Sequence, residues 1–148
     1  MITLSSSIRQ LRDMVNLGMR NPVIVNLAKG LFANKPTNAD KTLAIYSWMK
    51  RNIKYIPESP YTDVYQPPAT TVTLGAGDCE DLFLLSASLA KLGNIPVKAK
   101  LISVDGSIYQ HIYPLLKVNG RFVPMDMTVD NLPMGREVSY YQAKTYEM

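Results

Sequence analysis

The sequence predicts an α+β fold, with helices first and an antiparallel sheet after them. Three observations predict it. Apolar residues recur at helical spacing in several runs before residue 93. Alternation and the turn signals Asp105-Gly106 and Asn119-Gly120 dominate residues 97–128. The two patterns do not interleave, so helices and strands segregate.

At 148 residues the chain makes one domain, large enough to bury a core. With 47% hydrophobic and 19% charged residues its composition is that of an ordinary globular protein. A single cysteine excludes an internal disulfide and suits a reducing compartment. The net charge of +4 is modest, and the cations are scattered apart from Lys50, Arg51 and Lys54. That trio falls at a predicted helix C-terminus, where cations are favoured. No nucleic-acid motif accompanies it, so no nucleic-acid partner is expected. Met1 to Ser7 lacks the basic start and apolar run of a secretory signal. No segment approaches the roughly 20 apolar residues of a spanning helix. A cytoplasmic location without a membrane span is therefore expected.

Ser5, Ser6 and Ser7 offer caps for a first helix carrying Ile8, Leu11, Met14, Val15 and Met19. Asn21-Pro22 reads as the N-cap and first residue of a second helix, ending near Phe32. A third runs from about Ala39 to Ile53, with Trp48 on its apolar face as a core residue. From Lys54 to Thr73, Pro57, Pro60, Pro67 and Pro68 exclude regular structure, and Tyr55, Tyr61 and Tyr65 line the segment.

Gly75-Ala76-Gly77-Asp78-Cys79-Glu80-Asp81 turns loop into helix. Asp78 is the predicted N-cap and Asp81 the capping-box partner. The helix is apolar on nearly every side, hence buried, and Gly93 ends it. A thiol at its first residue meets the positive end of the helix dipole, while Glu80 and Asp81 oppose that effect. Taken alone, Cys79 reads as a small buried core residue.

Val97, Ala99 and Leu101 alternate with Lys98 and Lys100 in a first sheet strand. After the Asp105-Gly106 turn, a second strand spans Ile108 to Val118, and a third runs from Arg121 to about Thr128. The tail from Val129 adds an edge strand or packs as coil. The expected organisation is a helical lead-in (1–38), a core (39–128) and a tail (129–148) within one domain.

His111 is the one histidine. If Asn119-Gly120 forms a two-residue type I′ turn, Val118 pairs with Arg121. Counting back, Tyr113 faces Asp126, and His111 faces Thr128. Asp126 then lies diagonally across from His111, within reach of its ring. A slip of one residue would send Asp126 to the other face. Taken alone, His111 reads as a sheet histidine satisfied by a neighbour. Together, Cys79, His111 and Asp126 are the parts of a nucleophile–base–orienter site. One Cys, one His and one Asp without paired spacing make a poor metal centre, so no metal or cofactor is expected.

From about Ala44 to Thr128 the chain resembles a transglutaminase-like domain of the papain-like cysteine enzyme superfamily. The matching pieces are Ile45-Tyr46-Ser47-Trp48, Asn52-Ile53-Lys54-Tyr55, the Gly75–Asp81 turn and Leu92-Gly93-Asn94-Ile95-Pro96-Val97. His111 then leads into Val118–Asp126, and the fifteen-residue step from His111 to Asp126 also fits. The resemblance implies Cys79 as nucleophile, His111 as base then acid, and Asp126 as orienter, with an acyl group carried as a thioester. Water or an amine would release it, from a peptide or protein substrate. The Cys79 backbone N–H and, by likeness to related bacterial sequences, Gln66 are the candidate oxyanion donors. Tyr65 and Tyr113 are the candidate substrate contacts.

Tyr113 stands where the family often has Trp, Leu115 where Glu is common, and Pro114 where a donating strand residue is usual. Pro114 suggests an edge or a bulge. Short domains with such a helical lead-in resemble phage- and prophage-encoded proteins. The alternative use of this fold is non-enzymatic, as a binding or assembly part, for instance with a partner in a phage particle.

Overall fold

The computed structural model describes residues 7–57 and 66–148. Helix α1 (Ile8–Arg20) opens on a complete capping box, in which the Ser7 hydroxyl accepts from Gln10 N–H and the Gln10 side chain from Ser7 N–H. Helix α2 (Pro22–Phe32) carries proline at its start behind the Asn21 cap, as predicted. Helix α3 (Asn38–Asn52) is capped by the Thr37 hydroxyl. Helix α5 (Cys79–Leu92) has the predicted Asp78–Asp81 capping box.

The rest of the molecule is arranged around α5. Of its fourteen residues, twelve are buried. Leu11 and Val15 of α1, Ile24 and Ala28 of α2, and Ile45 and Met49 of α3 belong to the same core. Each large apolar side chain removed from water there contributes about 1.5–3 kcal/mol. Helix α1 comes so close that a Cβ on Gly18 would sit 2.4 Å from the Ser88 hydroxyl and 2.9 Å from Pro68 Cγ. Trp48 is half-buried against this core.

Strands β3 (Val97–Ser103), β4 (His111–Val118), β5 (Arg121–Pro124) and β6 (Gln142–Glu147) form an antiparallel sheet in the order β5-β4-β3-β6. Ala99, Ile112 and Leu116 close the core from the sheet side. Asn119 (φ 52°) and Gly120 (φ 79°) form the I′ turn, and Val118 pairs with Arg121. The tail supplies an edge strand, β6, on β3.

Four expectations need correction. The stretch 54–73 is not wholly irregular. Its start, β1 (Lys54–Tyr55), pairs in parallel with β2 (Ala76–Gly77), and Pro68–Leu74 forms a short helix, α4. Pro68 fits because a first-turn residue has no helical N–H to lose. Gly75 (φ 67°) ends α4 in the left-handed region. Asp105-Gly106 is not a tight hairpin. Asp105 Oδ1 accepts from the Ser107 N–H at 2.9 Å, a local turn that spreads the reversal over residues 104–110. The second strand therefore begins at His111 rather than Ile108, and the third ends at Pro124 rather than near Thr128. Pro114 causes no bulge. Its carbonyl accepts from Met125 N–H at 3.0 Å, so its ring nitrogen also turns toward β5, where paired strand has ended at Pro124. Among the described residues no helix is long and apolar enough to cross a membrane.

Candidate active site

Cys79 is the first residue of α5 and is 6% exposed. The turn before it is held by reciprocal bonds. Asp78 Oδ1 accepts from Asp81 N–H, and Asp81 Oδ2 accepts from Asp78 N–H, both at 3.0 Å. Gln66 N–H donates to Asp81 Oδ1 at 2.6 Å. Burial pushes the Asp81 carboxyl up to about 6, against the lowering effect of the Gln66 and Asp78 N–H bonds. Its opposition to a thiolate at Cys79 is therefore weakened below that pH.

His111 opens β4, and its Nε2 lies 2.8 Å from Asp126 Oδ2. Asp126 is 3% exposed. Burial pushes its carboxyl up, but bonds from His111 and Thr128 outweigh that and hold it below the usual range. Thr128 donates to Asp126 Oδ1 twice, from its N–H at 3.0 Å and its hydroxyl at 2.7 Å. The same hydroxyl oxygen stands 3.2 Å from His111 Nε2. The predicted register thus carries one residue past β5, to the Met125–Pro114 bond, and the chain bends from Thr128 onward. The ionised carboxylate fixes an Nε2–H tautomer, which leaves Nδ1 as the basic nitrogen.

Cys79, Asp126 and Thr128 line one small cavity of about 10 Å³, walled by Phe83, Ile112 and Met125. His111 contacts two of those three residues, Asp126 and Thr128.

The remaining predicted residues sit differently. Gln66 Nε2 points back into the turn, to Ala76 O (3.0 Å), Thr71 Oγ1 (3.3 Å) and Asp81 Oδ2 (3.3 Å). Its two N–H hydrogens brace the glycine turn. Tyr65 lies outside the described residues. Tyr113, the expected substrate contact, lines the small cavity beside Cys79 and is also tied into the interior. Tyr113 is 1% exposed, its hydroxyl donates to Glu137 Oε2 at 2.5 Å, and its ring centroid lies 5.5 Å from that of His111. Glu137 also takes a salt bridge from Lys100, whose ammonium donates to Tyr140 Oη at 3.0 Å. Sequence reasoning missed this cluster because its partners are 24 to 40 residues apart. It also gave Thr128 no role, although Asp126-x-Thr128 is a recognisable side-chain-to-backbone turn signal. Among the described residues no group of three or more His, Cys, Asp or Glu is placed to hold a metal ion.

The family model described as the transglutaminase-like superfamily matches residues 25–127. Solved structures share the fold. A candidate protease from Parabacteroides distasonis superposes with a TM-score of 0.66 at 12% identity, over 80% of this chain and 26% of its own. A candidate cysteine protease from Cytophaga hutchinsonii superposes at 0.59 with 19% identity, over 85% and 51%. A protein named a TGase superposes at 0.53 with 12% identity, over 90% and 36%. The chain therefore spans between about a quarter and a half of these longer proteins. No curated protein matches it.

Proposed function

The chain belongs to the transglutaminase-like superfamily, and on that premise we propose that it is a cysteine peptidase or amidase using Cys79, His111 and Asp126. The observation that carries the proposal is the His111–Asp126 bond at 2.8 Å, made by a buried carboxylate that with Thr128 lines the same cavity as Cys79.

In this reading His111 Nδ1 takes the Cys79 proton, and the sulfur attacks an amide carbonyl. The oxyanion formed is met by the backbone N–H of Cys79 at the positive end of α5. Gln66, beside Gly77, is the nearby side-chain donor, reached by releasing its weaker bond to Thr71. The imidazolium returns its proton to the amine as the C–N bond breaks, leaving a thioester on Cys79. Water, deprotonated by His111, then attacks the thioester; the acid leaves and the thiol is restored. Asp126 holds the ring and stabilises the imidazolium in both halves. Two of the structural neighbours carry protease names, which favours water over an amine as the acceptor.

An acyl-donor panel of peptide amides and activated esters, read by intact mass, tests the proposal. An acyl adduct on Cys79 that discharges in water is expected, with none on Cys79→Ala. An adduct that discharges only to added amine would make the protein a transamidase. No adduct, with a large partner co-purifying equally with Cys79→Ala, would make it an assembly part instead, as in a phage particle.

A further inference from the structure

Two cavities meet at Met127 and Thr128. One is the small space beside Cys79 and Asp126. The other is a cleft of about 390 Å³, within the range of about 300–1,000 Å³ typical of ligand sites. Its wall includes Lys50 and Arg51 from the last turn of α3, Lys54 and Tyr55 of β1, and Asp130. Three cations therefore stand against one carboxylate.

Among the described residues these cations are not otherwise neutralised. Among the described residues Lys50 Nζ donates to the Val129 carbonyl, at 3.4 Å, and stands over the Tyr46 ring, 5.8 Å from its centroid. Arg51 and Lys54 are exposed, and neither enters an ion pair with a described residue. The helix dipole accounts for Lys50 and Arg51, since cations are favourable at a C-terminal turn. It does not account for Lys54, which lies beyond the helix in β1. Nor does it account for all three lining a concave space that shares Thr128 with the cavity at Cys79. A cleft whose lining charges are mainly of one sign focuses its field and gathers ligands of the other.

We propose that this cleft binds a carboxylate side chain of the substrate, so that the enzyme favours peptides with an acidic residue beside the acyl group delivered to Cys79. The inference rests on the cysteine-enzyme reading above and adds the substrate class. Arg51 and Lys54 supply the attraction, and Lys50, anchored on Val129, closes one side.

The test uses two cysteine-directed peptidyl probes that differ only in a Glu or a Lys beside the reactive group. Labelling of Cys79 is followed by intact mass, and each rate is divided by the iodoacetamide rate on the same protein. At low salt the Glu probe should react roughly tenfold faster than the Lys probe, and the ratio should shrink in high salt. Arg51→Gln/Lys54→Gln should bring the ratio near one, and Arg51→Glu/Lys54→Glu should invert it. A wild-type ratio near one, or a ratio that survives either double variant, overturns the assignment. If iodoacetamide still reacts in a His111-dependent way, the cysteine-enzyme reading survives that failure. If alkylation is slow and indifferent to His111, both fall.

Discussion

Asp126 holds His111 by its Nε2, at 2.8 Å, from a carboxylate side chain with no exposed surface. The bond selects the tautomer and aims the ring, and Thr128 in turn fixes the carboxylate with two bonds. Asp126→Asn should therefore lower turnover by about 10²–10⁴-fold, the usual worth of positioned acid–base catalysis. Thr128→Val, which removes one neutral donor, should cost only about two- to tenfold. Steady-state kinetics on any acyl donor accepted by the wild type check both. Equal losses in the two variants would contradict the hierarchy.

Acid stability should show two opposed limbs. Asp81 has its folded value raised to about 6, from 3.8. The folded chain keeps its proton where the unfolded chain has lost it, so stability falls as pH rises from about 4 to 6. Asp126 has its folded value lowered below 3.8. Its contribution is present above that and is lost as pH falls through the folded value. Urea titrations from pH 3 to 7 should show wild type losing about 1–3 kcal/mol between pH 4 and 6 through Asp81, a loss absent from Asp81→Asn.

The glycine turn is predicted to be structural as well as catalytic. A Cβ on Gly77 would meet Asp81 Cβ at 2.6 Å and Gln66 Nε2 at 3.2 Å. Gly77→Ala should destabilise the fold by about 1–3 kcal/mol and slow the reaction of Cys79. Gln66→Ala should lower Tm together with the rate, because its amide braces Ala76 and Asp81. A loss of rate with unchanged Tm would show Gln66 to be an oxyanion donor alone.

Behind the sheet, Glu137 joins Lys100 and Tyr113. Burial pulls the Lys100 ammonium down, but bonds to Glu137 and Tyr140 outweigh it and raise it above 10.5. Burial and Glu137 raise the Tyr113 phenol. In both cases the folded chain holds its proton longer than the unfolded one, so stability is full below about pH 10 and falls as pH rises further. Glu137→Gln should cost about 1–2 kcal/mol at pH 7, less than a fully buried pair because Glu137 remains partly exposed, and should flatten the alkaline limb. Chemical denaturation at pH 7 to 10.5 checks this.

Much of this was legible in the sequence because the signals are local. Ser7, Asn21 and Asp78 cap their own helices, and the φ > 0 pair Asn119-Gly120 sets a register that brings Asp126 to His111 with no knowledge of the rest of the chain. What stayed hidden depends on distant partners. Helix α4 is short, and its burial through Pro68 and Thr71 comes from tertiary packing. Strand β6, which the sequence left open between edge strand and coil, is mostly exposed, with little alternation of hydrophobicity, and takes its place by pairing with β3. One missed feature was local: the Asp105 side chain competes for the backbone N–H of Ser107, two residues on, and lengthens the hairpin.

The most direct test of the central claim is the rate at which iodoacetamide alkylates Cys79 between pH 6 and 7. With two carboxylates in its first turn, α5 alone is a poor source of thiolate. A thiol activated by His111 should react fast in the wild type, and His111→Ala should slow it by about two orders of magnitude or more. Equal, slow rates in the two proteins would contradict the assignment of Cys79 as nucleophile.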